Sequence, residues 1–282
     1  MLHHAGAGPR IPATVWRARA LVVAGVCTAA LATACGPRSQ AAAPPTGGGL
    51  SVSYQAGGAD ERAFLRERRL PEKVAEDLNK FVRLPERVEI VGRVCKKDDT
   101  SEYDPETSRI ALCYGFVREV RSMFEADRTS GADRDPAERT AGVITETLYH
   151  EAAHALIDKL DLPFTGHEED VADQFAAYRL LDQGKAGRAA LLAAADNYAQ
   201  YASGADPSDV DPSDEHPPDA ARSAGYRCYL YGSAPQRERG AVYRALVDGK
   251  RLSMQRAALC EGEYDDLRRG WRRLLAPHMT DR

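Results

Sequence analysis

Residues 149–158 read Tyr-His-Glu-Ala-Ala-His-Ala-Leu-Ile-Asp, so that His150 and His154 flank Glu151 in an H-E-x-x-H spacing. On a helix of 3.6 residues per turn, a separation of four brings both imidazoles onto one face, where they can reach a single ion. Glu151 lies one residue past His150, about 100° round the helix. Its carboxylate is therefore set beside the ion rather than on it. Zinc lowers the pKa of a bound water to about 7, and a base at that offset can take the water's proton as it attacks a carbonyl. With seven histidines in 282 residues, the spacing alone arises by chance in about one chain in a hundred. A surface helix whose histidines pair with neighbouring acids is the plain alternative.

A catalytic zinc site takes three protein ligands and keeps one position for water. Fifteen residues past His154 stands Glu169, in the stretch GHEEDVADQFAAY, four residues before Asp173. At that spacing one carboxylate can bind the ion while the other accepts a hydrogen bond from a ligand imidazole, fixing its tautomer. The segment DLPFTG between the two motifs contains Pro163 and Gly166 and can turn the chain so that two helices face each other. His167, Glu168 and Asp170 compete with Glu169 as third ligand. An H-E-x-x-H-x-x-G-x-x-H continuation is excluded, because Ile157 and Leu160 stand where Gly and His are required. Stabilising the developing oxyanion needs one more donor. His216, in the acidic stretch, is the first choice, with Tyr226, Tyr229 and Tyr231 as alternatives; each could equally be a loop histidine or a core tyrosine.

H-E-x-x-H followed by E-x-x-A-D, the latter spanning Glu169 to Asp173, resembles the gluzincin pattern of thermolysin-like peptidases. The resemblance implies His150, His154 and Glu169 as Zn2+ ligands, Glu151 as general base and Asp173 behind a ligand imidazole. His216 resembles the downstream histidine of those enzymes in order and role. From about Ser51 to Met279 the chain is also similar to a bacterial family called "putative metallopeptidases". The stretches that carry the likeness are YDPETSRIALCYGF, YHEAAHALID, GHEEDVADQFAAY, YRCYLYGSAP and LRRGWRRLLAPHM. This implies a zincin-like domain acting on a peptide or protein substrate.

The elements that must position these residues can be read from periodicity. LSVSY at 50–54, RVEIVGRVC at 87–95 and SRIALCY at 108–114 have strand character, and the last two predict an antiparallel hairpin across a turn-rich segment. Helical patterning covers 59–81, 115–126, 137–160, 167–184, 186–203, 218–232 and 237–275. The expected fold class is α+β, mainly helical, with a small N-terminal sheet and the H-E-x-x-H segment on a helix. The proline-broken acidic stretch 204–220 reads as a solvated loop. It lacks the glycine and terminal glutamate of an EF-hand.

At 43% apolar and 28% charged, the chain suits one globular domain with tails. Its formal charge of -4 and scattered basic residues argue against nucleic acid as a partner. Residues 1–34, with Arg10, Arg17 and Arg19 before an apolar run, read as an export signal. Residues 35–49, rich in Pro, Gly and Ala, read as a flexible tether, and 50–282 as the peptidase domain. LATACG at 31–36 resembles a bacterial lipobox, so Cys35 is the expected lipid attachment point and the protein a membrane-anchored extracytoplasmic lipoprotein. Ala32-Thr33-Ala34 also fits ordinary signal cleavage, which would make it secreted. Outside the cytoplasm the four remaining cysteines suggest two disulfides, favoured as Cys95 with Cys113 and Cys228 with Cys260 because each pair is close in sequence. Buried free thiols are the alternative. The functional alternative to an enzyme is a non-catalytic metal-containing lipoprotein that binds a protein partner. If lipid is the anchor, Cys35→Ser is expected to move the protein from the membrane to the soluble fraction; a wild type already soluble after fractionation would point to secretion.

Overall fold

Strand β1 (Gly49–Tyr54) lies parallel to β2 (Arg87–Arg93), with Leu50 opposite Val88 and Val52 opposite Ile90. Parallel neighbours need a long crossover. Helices α1 (Ala59–Arg68) and α2 (Leu70–Phe81) supply it. The single helix expected over 59–81 is broken at Arg69, which adopts a left-handed conformation with φ 54°. Pro71 explains the break, since its ring cannot continue a helix from the preceding turn but suits the first turn of a new one. α2 then buries Leu70, Val74, Leu78 and Phe81 at helical spacing.

This computed structural model describes residues 48–96, 101–127, 135–204 and 214–280. The expected export signal, Cys35, the tether up to residue 47 and most of the acidic stretch (205–213) lie outside the described residues.

The sheet order is β1-β2-β4-β3, where β3 is Glu102–Asp104 and β4 is Arg109–Cys113. β2 and β4 are parallel, with Ile90 opposite Ile110, so the antiparallel hairpin expected between them is not formed. The antiparallel partner of β4 is instead β3, paired from Glu102↔Ala111 to Asp104↔Arg109. Asp104 organises the true hairpin turn by accepting hydrogen bonds from the backbone of Glu106 and Thr107 and from the Thr107 hydroxyl. Alternation identifies a strand, but not the direction of its partner. A three-residue strand such as β3 leaves no pattern to find.

Both expected disulfides, Cys95–Cys113 and Cys228–Cys260, are present. The first joins the C-terminal ends of two parallel strands, a geometry that the hairpin reading could not have provided.

Helices α3 (Tyr114–Ala126), α4 (Pro136–Leu160), α5 (Glu168–Asp182) and α6 (Gly184–Gly204) follow. α7 (Asp219–Gly232), α8 (Gln236–Tyr243), a π-helical turn at Arg244–Asp248 and α9 (Met254–Leu275) complete the order. The continuous helix expected over 237–275 is thus interrupted, and α9 begins afresh where the Ser253 side chain caps the backbone N–H of Arg256. The fold is α+β and mainly helical.

α4 is the central element: 16 of its 25 residues are buried, so it is covered on nearly every side. Asp135 caps its start through the N–H of Ala137, and left-handed Asp161 ends it. Gly142 lets α6 approach closely, because a Cβ there would stand 2.9 Å from Ala190 Cα. Arg179 of α5 binds both carboxylate oxygens of Asp77 in α2, and Tyr149 of α4 donates to the same carboxylate. That knot fixes α2, α4 and α5 relative to one another.

The bridged positions are 18 and 32 residues apart, for which chain entropy gives about 3–4 kcal/mol per bridge. Replacing Cys228 and Cys260 together by Ala is expected to lower unfolding stability in urea by about that amount. Alkylation of any of the four cysteines before reduction would contradict the two bridges.

Candidate metal centre and active site

His150, Glu151 and His154 occupy consecutive turns of α4, and the 161–166 loop returns the chain so that Glu168, Glu169 and Asp173 of α5 face them. His150 Nδ1 lies 2.9 Å from Asp173 Oδ1, and His154 Nδ1 lies 2.8 Å from Glu168 Oε1. A carboxylate on Nδ1 assigns the proton to that nitrogen and leaves the lone pair on Nε2. Both Nε2 atoms turn to the same point: they are 3.3 Å apart, with Glu169 oxygens 3.0 Å from His150 Nε2 and 3.4 Å from His154 Nε2. Glu169 Oε2 is close to His150 yet not aligned for a hydrogen bond, and it is a buried oxygen with no hydrogen-bond partner.

These three residues fit a metal ion. A tetrahedral ion with ligands at 2.0–2.1 Å has ligand-to-ligand edges of about 3.3 Å; the separation of the two Nε2 atoms matches this, and Glu169 turns one oxygen toward each histidine. The electrostatics agree. Burial by itself would lower the His150 pKa, but the hydrogen-bonded Asp173 and the close carboxylates of Glu169 and Glu151 override it and push it up to about 10. The acid-rich surroundings therefore favour positive charge at this point.

Glu146, His150 and Asp173 form a second group close enough to share an ion. Here the cation is already built in. Arg222 of α7 holds Asp173 through both oxygens, and the Tyr226 hydroxyl lies against Asp173 Oδ1 at 2.9 Å and against Glu146 Oε1. Burial opposes ionisation of Asp173, but Arg222 and His150 hold it well below the usual carboxylate range. Burial and the charge of Asp173 push Glu146 the other way. The two neighbouring carboxyls are thus shifted in opposite directions.

Glu151 is 6% exposed and takes no part in the three-atom convergence. Burial pushes its carboxyl up to about 8; His150 offsets this in part, Glu169 adds to it, and a backbone hydrogen bond from Tyr103 in β3 lowers it. Tyr103 also donates its hydroxyl to Asp158, two turns further along α4. The edge strand is thereby laid along the helix. Glu151 and His150 line a cleft of about 770 Å³, bounded elsewhere by Tyr198, His216, Asp219 and the Cys95–Cys113 bridge.

The structure brings together His150, His154, Glu169, Glu151 and Asp173, and adds His216, whose Nε2 is 3.2 Å from Glu169 Oε2. The competing ligands fall elsewhere: Glu168 sits on the far nitrogen of His154, while His167 and Asp170 border a separate hollow. The tyrosine alternatives do not line the cleft. Tyr226 is buried against Asp173 and Glu146, Tyr229 borders that other hollow, and Tyr231 packs on Tyr243. Sequence reading missed Arg222, Glu146 and the role of Glu168. Glu146 had a signal, since it precedes His150 by four residues on the same helical face. Arg222 had none, being 49 residues from Asp173.

A family model described as "putative metallopeptidase" matches residues 54–275. The chain belongs to this family. No curated protein and no solved structure matches it. Membership supports a metal-dependent peptidase and places the H-E-x-x-H helix, α5 and α7 inside the matched region.

Asp173→Asn keeps the shape but removes the charge behind His150. Loss of such a partner typically costs 10–100-fold in metal affinity, and competition with a chelator is expected to show a fall of that order. His154→Ala should abolish stoichiometric binding; undiminished metal content in that variant would refute the ligand set.

Proposed function

We propose that this member of the family is an exported zinc metallopeptidase that hydrolyses peptide bonds, with His150, His154 and Glu169 as ligands and Glu151 as general base. The observation that carries this reading is the convergence of two Nε2 atoms and one carboxylate, close enough to share one ion, beside a buried carboxyl that none of the three requires. Zinc, when bound, polarises the scissile carbonyl and acidifies water.

The chain's own residues do the rest. Glu151 takes a proton from the attacking water and passes it to the departing amine nitrogen, so that the C–N bond breaks with its proton accounted for. Its burial limits exchange of that proton with bulk water. Asp173 and Glu168 hold the imidazoles in the required tautomer. His216 is the donor for the carbonyl oxygen as negative charge builds there. Its side chain is 57% exposed, which leaves it free to turn from Glu169 toward a substrate.

Two disulfides suit an oxidising compartment and so support export. In this reading the signal is removed, Cys35 carries lipid, and the tether holds the peptidase off the bacterial membrane within reach of peptide or protein substrates.

Glu151→Gln keeps the size of the side chain but removes the proton acceptor. Zinc content and melting temperature should remain, while kcat falls by about 10² to 10⁴. Unchanged turnover in this variant would refute the assigned base. A wild type that holds zinc but cuts nothing in a broad peptide library would favour the partner-binding alternative.

A further inference from the structure

The cleft continues past Glu151 into a side pocket toward the N-terminus of α4. Thr147 and Val143 line it four and eight residues before Glu151, about 6 and 12 Å along the helix axis at 1.5 Å per residue. Asn197, Tyr198 and Tyr201 of α6 form the facing wall, and Phe116 and Glu119 of α3 close the side. This part of the cleft thus adjoins the reacting centre, whose His150 and Glu151 line the same cavity.

Beyond Glu151 the lining offers hydrogen-bond acceptors. Asn197 is 2% exposed and its side-chain oxygen has no hydrogen-bond partner. The Tyr201 hydroxyl donates to Glu119 Oε1 at 2.9 Å, which fixes that carboxylate against the pocket wall. Asp214 and Asp219 add acceptors in the same cleft. Of the cleft's cations, Arg222 binds Asp173 and lies over the Tyr198 ring, Arg118 binds Glu61 at 2.7 Å, and Lys96 stands next to Cys95 of the Cys95–Cys113 bridge. The Phe116 and Tyr201 rings suit the alkyl stem and charged head of a long basic side chain. An apolar occupant would leave the Asn197 oxygen without a donor and strip water from Glu119, both costly. An acidic occupant would meet Glu119 directly.

We infer that this pocket is the specificity site, and that it takes a lysine or arginine side chain of the substrate adjacent to the bond being cut. The inference rests on the peptidase reading and names its substrate class.

The test uses the zinc-loaded protein with fluorogenic peptides that differ at one position (Arg, Lys, Leu or Glu), and with short peptide hydroxamates bearing the same side chains, whose binding requires no turnover. Arg and Lys peptides should exceed Leu and Glu peptides in kcat/KM by at least about tenfold, mainly through KM, and the hydroxamates should follow the same order. Glu119→Gln and Asn197→Leu should each remove most of that advantage while zinc content is retained. Glu119 is exposed on α3, so its variant decides the matter if Asn197→Leu does not fold. Hydrolysis and hydroxamate binding with no preference for basic side chains would overturn the inference alone. A preference that survives both substitutions would overturn the assignment to this pocket. Neither hydrolysis nor hydroxamate binding in the presence of bound zinc would instead overturn the peptidase reading beneath it.

Discussion

Asp173 bonds to His150 Nδ1 and accepts hydrogen bonds from the Arg222 guanidinium and the Tyr226 hydroxyl, so one buried carboxylate joins α4, α5 and α7. An ionised carboxylate is expensive to remove from water unless paired and fully hydrogen-bonded, and breaking such a pair typically costs about 3–5 kcal/mol. The three helices therefore cannot move independently without exposing or orphaning that charge. Because the same bond sets the His150 ring, the scaffold's stability and the aim of the Nε2 lone pair have a common origin.

In the proposed function α4 is both core and reagent. Ala152 and Ala153, between the two histidines, are buried and small, allowing neighbouring elements to come close while the longer polar side chains occupy the remaining face. The cost is a crowd of acids in a dry place: Glu146, Glu151, Glu169 and Asp173 surround two imidazoles. Arg222 compensates one side. On the other, where both Nε2 atoms and Glu169 meet, the ion-pair partners of Glu169 among the described residues are histidines, and an ion is the chemically fitting complement.

The cleft is assembled from parts with separate duties. The edge strand β3 touches α4 through the backbone at Glu151 and through the Tyr103 hydroxyl at Asp158. The Cys95–Cys113 bridge ties the C-terminal ends of β2 and β4 at the cleft's rim. In the proposed function the chemistry sits on consecutive turns of one helix, whereas the walls that would sort substrates come from α3 and α6. Such a division lets the walls vary without disturbing the ligands.

The sequence by itself determined the local features. An i, i+4 pair of histidines has to share a helical face, Glu151 has to be offset from them, and Glu169 and Asp173 have to share a face of their own helix, because those relations follow from 3.6 residues per turn. The two disulfide pairings were also within reach, each pair being near in sequence. What the tertiary structure decided were relations between elements: that β2 and β4 run parallel with β3 outside them, that Glu168 faces His154 Nδ1 while Glu169 faces the convergence point, and that Arg222 closes the network from α7. Periodicity is a property of one segment. It carries no information about which way a neighbouring strand runs, or which distant side chain will arrive to neutralise a buried charge, and only packing settles those.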